Sequence, residues 1–545
     1  MTMPHARQAL PMVDLVLRGG RISTMDVEGP IEVEAVAIAG GRIIAAGSDA
    51  DLAAYAHEAE RIIDLDGRRV LPGLNDSHIH AVRAANSWTT SMHWEDVRSI
   101  DEALSRVRAQ AGLRAPGEWI SVVGGWHSSQ LEERRAPTRA ELDAAAPEHP
   151  VYIQELYDRG VLNSAALAAC GWNDDSVDPV RGTLERDTTG TLTGVLRGFG
   201  AFSVPVALAL NGEDHREAGI AEMCGVFAAH GLTGVVDGGG LLMTPRDYDP
   251  LYAVWRRGAL PLRFRLFISA WTRDGEVEDI DRLTTLVQPE SGDAMLRLAG
   301  VGEIPHLGCH DMEGLDPFEM TDAAYEELVE IVRLCVARGW RMSVHAVLDS
   351  SLSRVLDAWE QVEAETGGVR GRGFSIVHAD AASERNAARI ARLGAGVLVQ
   401  SRLVLKGSDY VEAWGADATA AAPPIGLLRD LGIVVGAGTD ATRANWFSPW
   451  AAIWWLVTGG TLDGVGVRSA EHRMSRMQAL AAYTSDAAWF TGEQDHRGRV
   501  RVGFDADLCV PTIDPFECPE GELRDIRSDL TIVGGRIAHD SGKLT

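Results

Sequence analysis

An apolar segment, LPGLNDSHIH, ends in two histidines spaced two residues apart. On a β-strand such residues project from one face, so His78 and His80 can address one ion while Ile79 points into the opposite layer. Three other apolar segments carry residues of the same chemical kind at their ends: His345 in SVHAV, His378 in FSIVHAD and Asp440 in GIVVGAGTD. Taken singly, each histidine reads equally well as a strand-end side chain hydrogen-bonded in the core, and Asp440 as a helix cap. Taken together, imidazole and carboxylate donors suit a catalytic Zn2+-like ion with an open position, provided that the fold brings the strand ends together.

The chemistry of such a site follows from its parts. An ion of this kind lowers the pKa of a bound water to about 7, which supplies a nucleophile at neutral pH. Asp440 is placed to take the water's proton and return it to a leaving nitrogen or oxygen, and His378 or His345 to donate to a developing oxyanion.

The elements that must position these residues are legible in the pattern. Thr321 to Gly339 reads as a helix, with Tyr325, Leu328, Val332 and Cys335 at helical spacing and Gly339 at the C′ position; the strand RMSVHAV follows at once. Repeated strand–helix alternation predicts a parallel sheet with helical crossovers, in its economical closed form an α/β (β/α)8 barrel. Eight strands are expected at Val70–His80, Gly234–Asp237, Arg263–Ile268, Met295–Val301, Arg341–His345, Phe374–His378, Gly396–Gln400 and Ile433–Asp440. The interval after the first is too long for one crossover, so residues from about Glu95 to Gly198 are expected to form an α+β insertion. Short strands with Gly-Gly punctuation at both ends of the chain predict a small β-sandwich built from residues 1–70 and 497–545, flanking a barrel over 71–496.

Composition narrows the class of protein. The 545 residues carry 51 Lys+Arg against 78 Asp+Glu, a formal net charge of −27, which disfavours nucleic acid and anionic membranes as partners. No apolar run suits a signal peptide or a membrane span, so the expectation is a cytoplasmic protein with a small-molecule substrate; a homodimer is expected only as the common state for enzymes of this size. The six cysteines lack CxxC pairing and read as reduced packing residues. No Gly-rich segment matches a phosphate loop.

The segments LPGLNDSHIH, VHAVLDSSLSRVLDA, SIVHADAASERNAARIARLG, VVGAGTDA and RGRVRVGFDADLCV resemble the amidohydrolase superfamily of metal-dependent hydrolases. Within it the likeness is to the family 3 branch that includes N-substituted formamide deformylase-like enzymes, and PTRAELDAAAPEHPVYI and GTLTGVLRG in the insertion are similar to that branch too. The resemblance implies a composite β-sandwich around a (β/α)8 barrel. It also implies a metal centre of His78, His80, His345, His378 and Asp440. Many relatives carry a carboxylated lysine at the end of strand 4; here Gly302 and Glu303 stand near that position and no lysine is available. Two arrangements stay open: Glu303 bridging two ions, or a single ion held by some of the histidines and Asp440, with Glu303 and His378 as hydrogen-bonding or acid/base groups. Zn2+ is the expected metal, with Mn2+ or Fe2+ as alternatives.

The loop after the last strand, ATRANWFSPW, is expected to bring Arg443 and Trp446 to the mouth, with Trp126 adding a wall from the insertion. Arg443 suits a carboxylate clamp or a helix cap equally well. His306, His310 and Asp311 follow in one loop that could reach the pocket, but they are expected to be solvated. The expected reaction is hydrolysis of a non-peptide C–N bond in an N-acyl, N-formyl or cyclic amide of an apolar or aromatic compound. A lyase, decarboxylase, isomerase or ester hydrolase is the alternative on the same scaffold.

Overall fold

The computed structural model describes residues 12–26, 28–29, 31–210 and 215–544, so the first eleven residues of the expected N-terminal unit lie outside the described part. Eight parallel strands form the central sheet: β1 (Leu74–Ile79), β2 (Leu232–Asp237), β3 (Arg263–Ile268), β4 (Leu296–Val301), β5 (Arg341–Ala346), β6 (Ser375–His378), β7 (Gly396–Gln400) and β8 (Val435–Gly438). They pair in sequence order. The sheet closes on itself where Asp440 N donates to His78 O (2.9 Å) and His80 N donates to Ala441 O (3.0 Å). The result is the expected α/β barrel, with the ends of β1 and β8 side by side. The helix expected between Thr321 and Gly339 spans Asp322–Arg338; the Thr321 hydroxyl caps it by accepting from Ala324 N, and Gly339 ends it at φ 80°.

The first barrel strand is shorter than its sequence pattern. The apolar run expected as one strand from Val70 divides at Gly73 into Arg69–Pro72, which belongs to another sheet, and β1. Gly73 is needed at the break because a Cβ there would stand 2.2 Å from the Thr233 side chain on β2.

Both ends of the chain meet in one six-stranded sheet, where Arg69–Pro72 lies between Arg21–Ser23 and Leu508–Pro511. A four-stranded sheet containing Val13–Arg18 and Ala35–Ala39 packs on it through a shared core that includes Leu15, Leu17, Ile22, Val36, Leu508 and Ile532. Between β1 and β2 the chain builds a five-stranded mixed sheet from Ile120–Val123, Val151–Glu155, Arg159–Leu162, Thr183–Arg186 and Leu192–Arg197. It has its own apolar core around Trp94, Trp126 and Ile153. No helix among the described residues is long and apolar enough to cross a membrane. All six cysteines are free. Cys309 packs its sulfur against Met320.

Candidate metal centre

In a barrel of parallel strands the side chains at the C-terminal strand ends converge whatever their separation in sequence. Here they bring six expected residues together. His78 Nε2 stands 3.0 Å from Glu303 Oε2 and 3.7 Å from Asp440 Oδ1. His80 Nε2 stands 3.4 Å from Glu303 Oε1 and 3.1 Å from Asp440 Oδ1. His345 Nδ1 is 3.9 Å from Glu303 Oε2, and the His378 ring lies edge-on to those of His345 and His78. All six side chains are buried.

The donor set fits a divalent cation on an observation independent of residue type. His78 Nε2, Glu303 Oε2, His345 Nδ1 and His378 Nδ1 are buried with no hydrogen-bond partner, although His78 and Glu303 are at contact distance. A buried polar atom without a partner costs about 1–3 kcal/mol, so a concentration of them at one point calls for a missing partner of opposite character. Donor atoms of His78, Glu303 and His378, of His78, His80 and Asp440, and of Glu303, His310 and His345 each lie within 4.8 Å of one another. Glu303 and His78 each belong to two of these groups.

For His80 and His345, neighbouring groups fix which ring nitrogen is free. His80 Nδ1 donates to Gly239 O (2.6 Å), leaving the Nε2 lone pair toward Glu303 and Asp440. His345 Nε2 lies 2.7 Å from Met312 O and 2.9 Å from Asp311 Oδ1, leaving Nδ1 toward Glu303. Asp76, fully buried beneath the site, accepts from the Thr439 hydroxyl (2.6 Å) and from the backbone N–H of Thr439 and His78. It thereby ties the end of β8 to β1; burial lifts its carboxyl to about 7 against the pull of the Thr439 hydrogen bonds. Asp237 does the same for the β2 end, accepting from Val82 N and Gly239 N. His378 (φ 79°) and Asp440 (φ 60°) are held in the left-handed region, a strain of about 1–3 kcal/mol each that typically marks functional positions.

The loop carrying His310 and Asp311 is not solvated, contrary to the sequence expectation. Asp311 is buried and accepts from the N–H groups of Val347 and Leu348 beyond β5. Burial opposes its ionisation, yet the hydrogen bond and charge of His345 hold its carboxyl at about 2. His310 stacks on His345 with centroids 3.8 Å apart, and burial followed by repulsion from His345 drives it down to about 3. His306 is buried away from the cluster, with Nε2 at 2.9 Å from Glu327. The loop folds inward because Asp311 is the acceptor that completes the β5 histidine.

Two of the three expected substrate-contacting residues lie elsewhere. Trp126 is fully buried in the core of the insertion, its ring against Trp94 and its Nε1 donating to Gln154 O. Trp446 donates to Gln130 and lines a separate cavity with Phe447 and His230. Large apolar rings were claimed by the nearest core. Arg443 lines a different cavity from the one over the cluster, and the two share Arg83. Its backbone is pressed by the insertion so closely that a Cβ on Gly124 would stand 2.4 Å from the Arg443 Cα.

The cavity over the cluster, about 50 Å³, is walled by Tyr157 and Phe199 from the insertion and by Arg83, Met312 and Arg402 from the barrel. Sequence reasoning missed Tyr157, Phe199, Arg83 and Arg402, none of which has a metal-ligand type or a repeating spacing. Only Arg402 left a signal, in the polar QSR that ends the apolar β7. It is buried, donates to Asp380 Oδ2 (2.9 Å) and faces the cavity.

A barrel whose strand ends gather imidazoles and carboxylates around unpartnered donor atoms defines a metal-dependent barrel enzyme. The chain belongs to the amidohydrolase family, which residues 61–539 match. It is 25% identical over 551 residues to the N-substituted formamide deformylase of Arthrobacter pascens, covering 97% of this chain and 99% of that protein. An uncharacterized metal-dependent hydrolase from Pyrococcus horikoshii superposes with a TM-score of 0.68 at 21% identity, covering 93% of this chain and 99% of that one. Atrazine chlorohydrolase from Arthrobacter aurescens, in complex with zinc, superposes with a TM-score of 0.54 at 17% identity, covering 96% and 95%. These likenesses to solved structures bear on the fold.

Proposed function

We propose that the protein is a metal-dependent hydrolase that cleaves a non-peptide carbon–nitrogen bond in an N-acyl or N-formyl small molecule, with Zn2+ as the ion. The observation that carries this reading is the set of buried, unpartnered donor atoms on His78, Glu303, His345 and His378 at the mouth of the barrel. His78, His80, His345, His378, Glu303 and Asp440 would hold the ion or ions, with Glu303 as the shared carboxylate. A bound Zn2+ lowers the pKa of water to about 7 and polarises a carbonyl oxygen.

The chain's own residues perform the remaining work. The Asp440 carboxylate, 3.1 Å from His80, takes the proton from the attacking water and delivers it to the departing nitrogen as the C–N bond breaks, releasing an acid and an amine. The Arg402 guanidinium faces the same cavity as Glu303 and Asp440, where a fixed positive charge favours an oxyanion developing on the substrate. Its partner Asp380 holds it in place. Tyr157 and Phe199, with rings 5.4 Å apart, form the aromatic wall that keeps bulk water out.

Metal content of the purified protein tests this reading. About two equivalents, falling to one in Glu303→Ala, supports the bridging arrangement; a steady single equivalent places Glu303 outside the coordination sphere; none, even after incubation with Zn2+, removes the reading. Turnover in H2(18)O separates hydrolysis from lyase, decarboxylase and isomerase chemistry, because hydrolysis alone leaves the label in a product acid.

A further inference from the structure

The cavity over the cluster is about 50 Å³, whereas a neighbouring cavity of about 320 Å³ shares Arg83 with it. Three arginines, Arg83, Arg216 and Arg443, line that outer cavity. Among the described residues none of the three makes a hydrogen bond or an ion pair, and Arg216 Nε is buried without a partner. Among the described residues Asp247 is the one carboxylate in its lining, and it is engaged by the Thr244 hydroxyl and N–H. Arg83, Arg216 and Arg443 are half-buried; of the fully buried arginines, Arg263, Arg265 and Arg402 each meet a carboxylate within 3 Å, and Arg468 is held by backbone carbonyls. Cations gathered around one partly enclosed space repel each other and create a field that favours an anion between them. Burial and repulsion from Arg83 bring even the Arg443 guanidinium down to about 10.

We propose that Arg83, Arg443 and Arg216 bind a carboxylate carried by the substrate, so that the bond cleaved belongs to an N-acyl or N-formyl derivative of an amino acid or similar acid, not of a neutral amine. The proposal rests on the hydrolase reading for the reaction and on the arginine-lined cavity for the substrate. Arg83 lines both cavities, so it borders the space for the amide and the space for the acid. The guanidinium plane suits the bidentate grip of a carboxylate. Tyr157 and Phe199 then cover the apolar part between amide and acid.

The test uses the full-length, Zn2+-loaded protein with N-formylphenylalanine and N-formylphenethylamine, which differ only in the carboxylate. The wild type is expected to prefer the acid by roughly 10- to 100-fold in kcat/KM, chiefly through KM, with the preference collapsing toward one in Arg443→Met and Arg83→Met and partly retained in Arg443→Lys. Calorimetric binding of 3-phenylpropionate against 3-phenylpropanamide reads the same clamp without turnover, and circular dichroism confirms that each variant folds. Equal handling of acid and neutral compound by the wild type overturns the clamp, as does acid binding that is absent or indifferent to all three variants. Arginine-dependent acid binding without hydrolysis of any amide leaves the clamp standing and removes the hydrolase reading. Hydrolysis of neutral amides with no arginine dependence does the reverse.

Discussion

At the N-terminal end of the barrel, Arg263 and Arg265 point inward from β3, and each donates two hydrogen bonds to one carboxylate, Asp507 for the first and Glu493 for the second. Arg497 joins both carboxylates, and Gly534 N and the Thr491 hydroxyl complete their acceptor sites. At the C-terminal end the same kinds of side chain are equally buried, yet His78, Glu303, His345 and His378 leave ligand atoms unpartnered. Buried charge alone therefore does not mark a site. The lower cluster is a closed ion-pair network that fastens the C-terminal strands to the barrel; the upper one is complete only with something added.

The sharpest way to break this comparison is at Asp440. If the upper end is chemical, Asp440→Ala lowers turnover by roughly 10²–10⁴-fold while the far-UV spectrum and melting profile persist. A variant that kept most of its activity would move the proton shuttle to another group.

The matching cut at the lower end acts on stability. Glu493→Ala strands Arg265 without its carboxylate and leaves Arg497 with Asp507 alone, a change expected to cost about 3–5 kcal/mol in denaturant unfolding. Metal stoichiometry in the surviving folded fraction should stay as in the wild type. Loss of metal with little loss of stability would mean that the two ends are coupled.

A smaller effect is expected one step behind the upper cluster. Asp311 holds the β5 histidine so that Nδ1 faces Glu303, and groups in that position commonly contribute 10- to 100-fold in metal affinity. Asp311→Ala should weaken Zn2+ binding by that order in a competition titration with a chromophoric chelator. Unchanged affinity would reduce Asp311 to a loop anchor for Val347 and Leu348.

These two ends were not equally legible in the sequence. The upper cluster was visible because metal-ligand residue types close apolar strands, as in SHIH, SVHA and SIVHAD, and because barrel topology makes strand ends converge. The lower network was not: Arg265 and Glu493 lie 228 positions apart and neither position carries a pattern that points to the other. Asp311 was hidden for a related reason, since a polar loop residue becomes structural only once the loop folds back onto β5. Arg83 and Tyr157 sit on different segments and meet only when the insertion packs over the mouth, so their role depends on a contact that periodicity does not encode. The Val70–His80 run was misread as one strand because apolar continuity crosses Pro72-Gly73, where the chain changes sheets.

The smallest expected effect, and the one that isolates the lower network, is its dependence on pH. Burial raises the Glu493 and Asp507 carboxyls, but Arg497 and Arg265 around the first, and Arg263 and Arg497 around the second, hold both below the ordinary carboxylate range. A carboxyl with a folded-state pKa below its unfolded value contributes stability that is fully present above the unfolded pKa and is lost as pH falls toward the folded one. The loss therefore begins near pH 4 and amounts to about 1.4 kcal/mol per pH unit for each such group. Urea unfolding of metal-free wild type and Glu493→Gln between pH 5 and pH 3 should give curves that converge as the solution is acidified, the variant lacking one proton's worth of slope. Parallel curves across that interval would show that Glu493 does not take up its proton on unfolding, and the lower end would owe its stability to packing instead of charge.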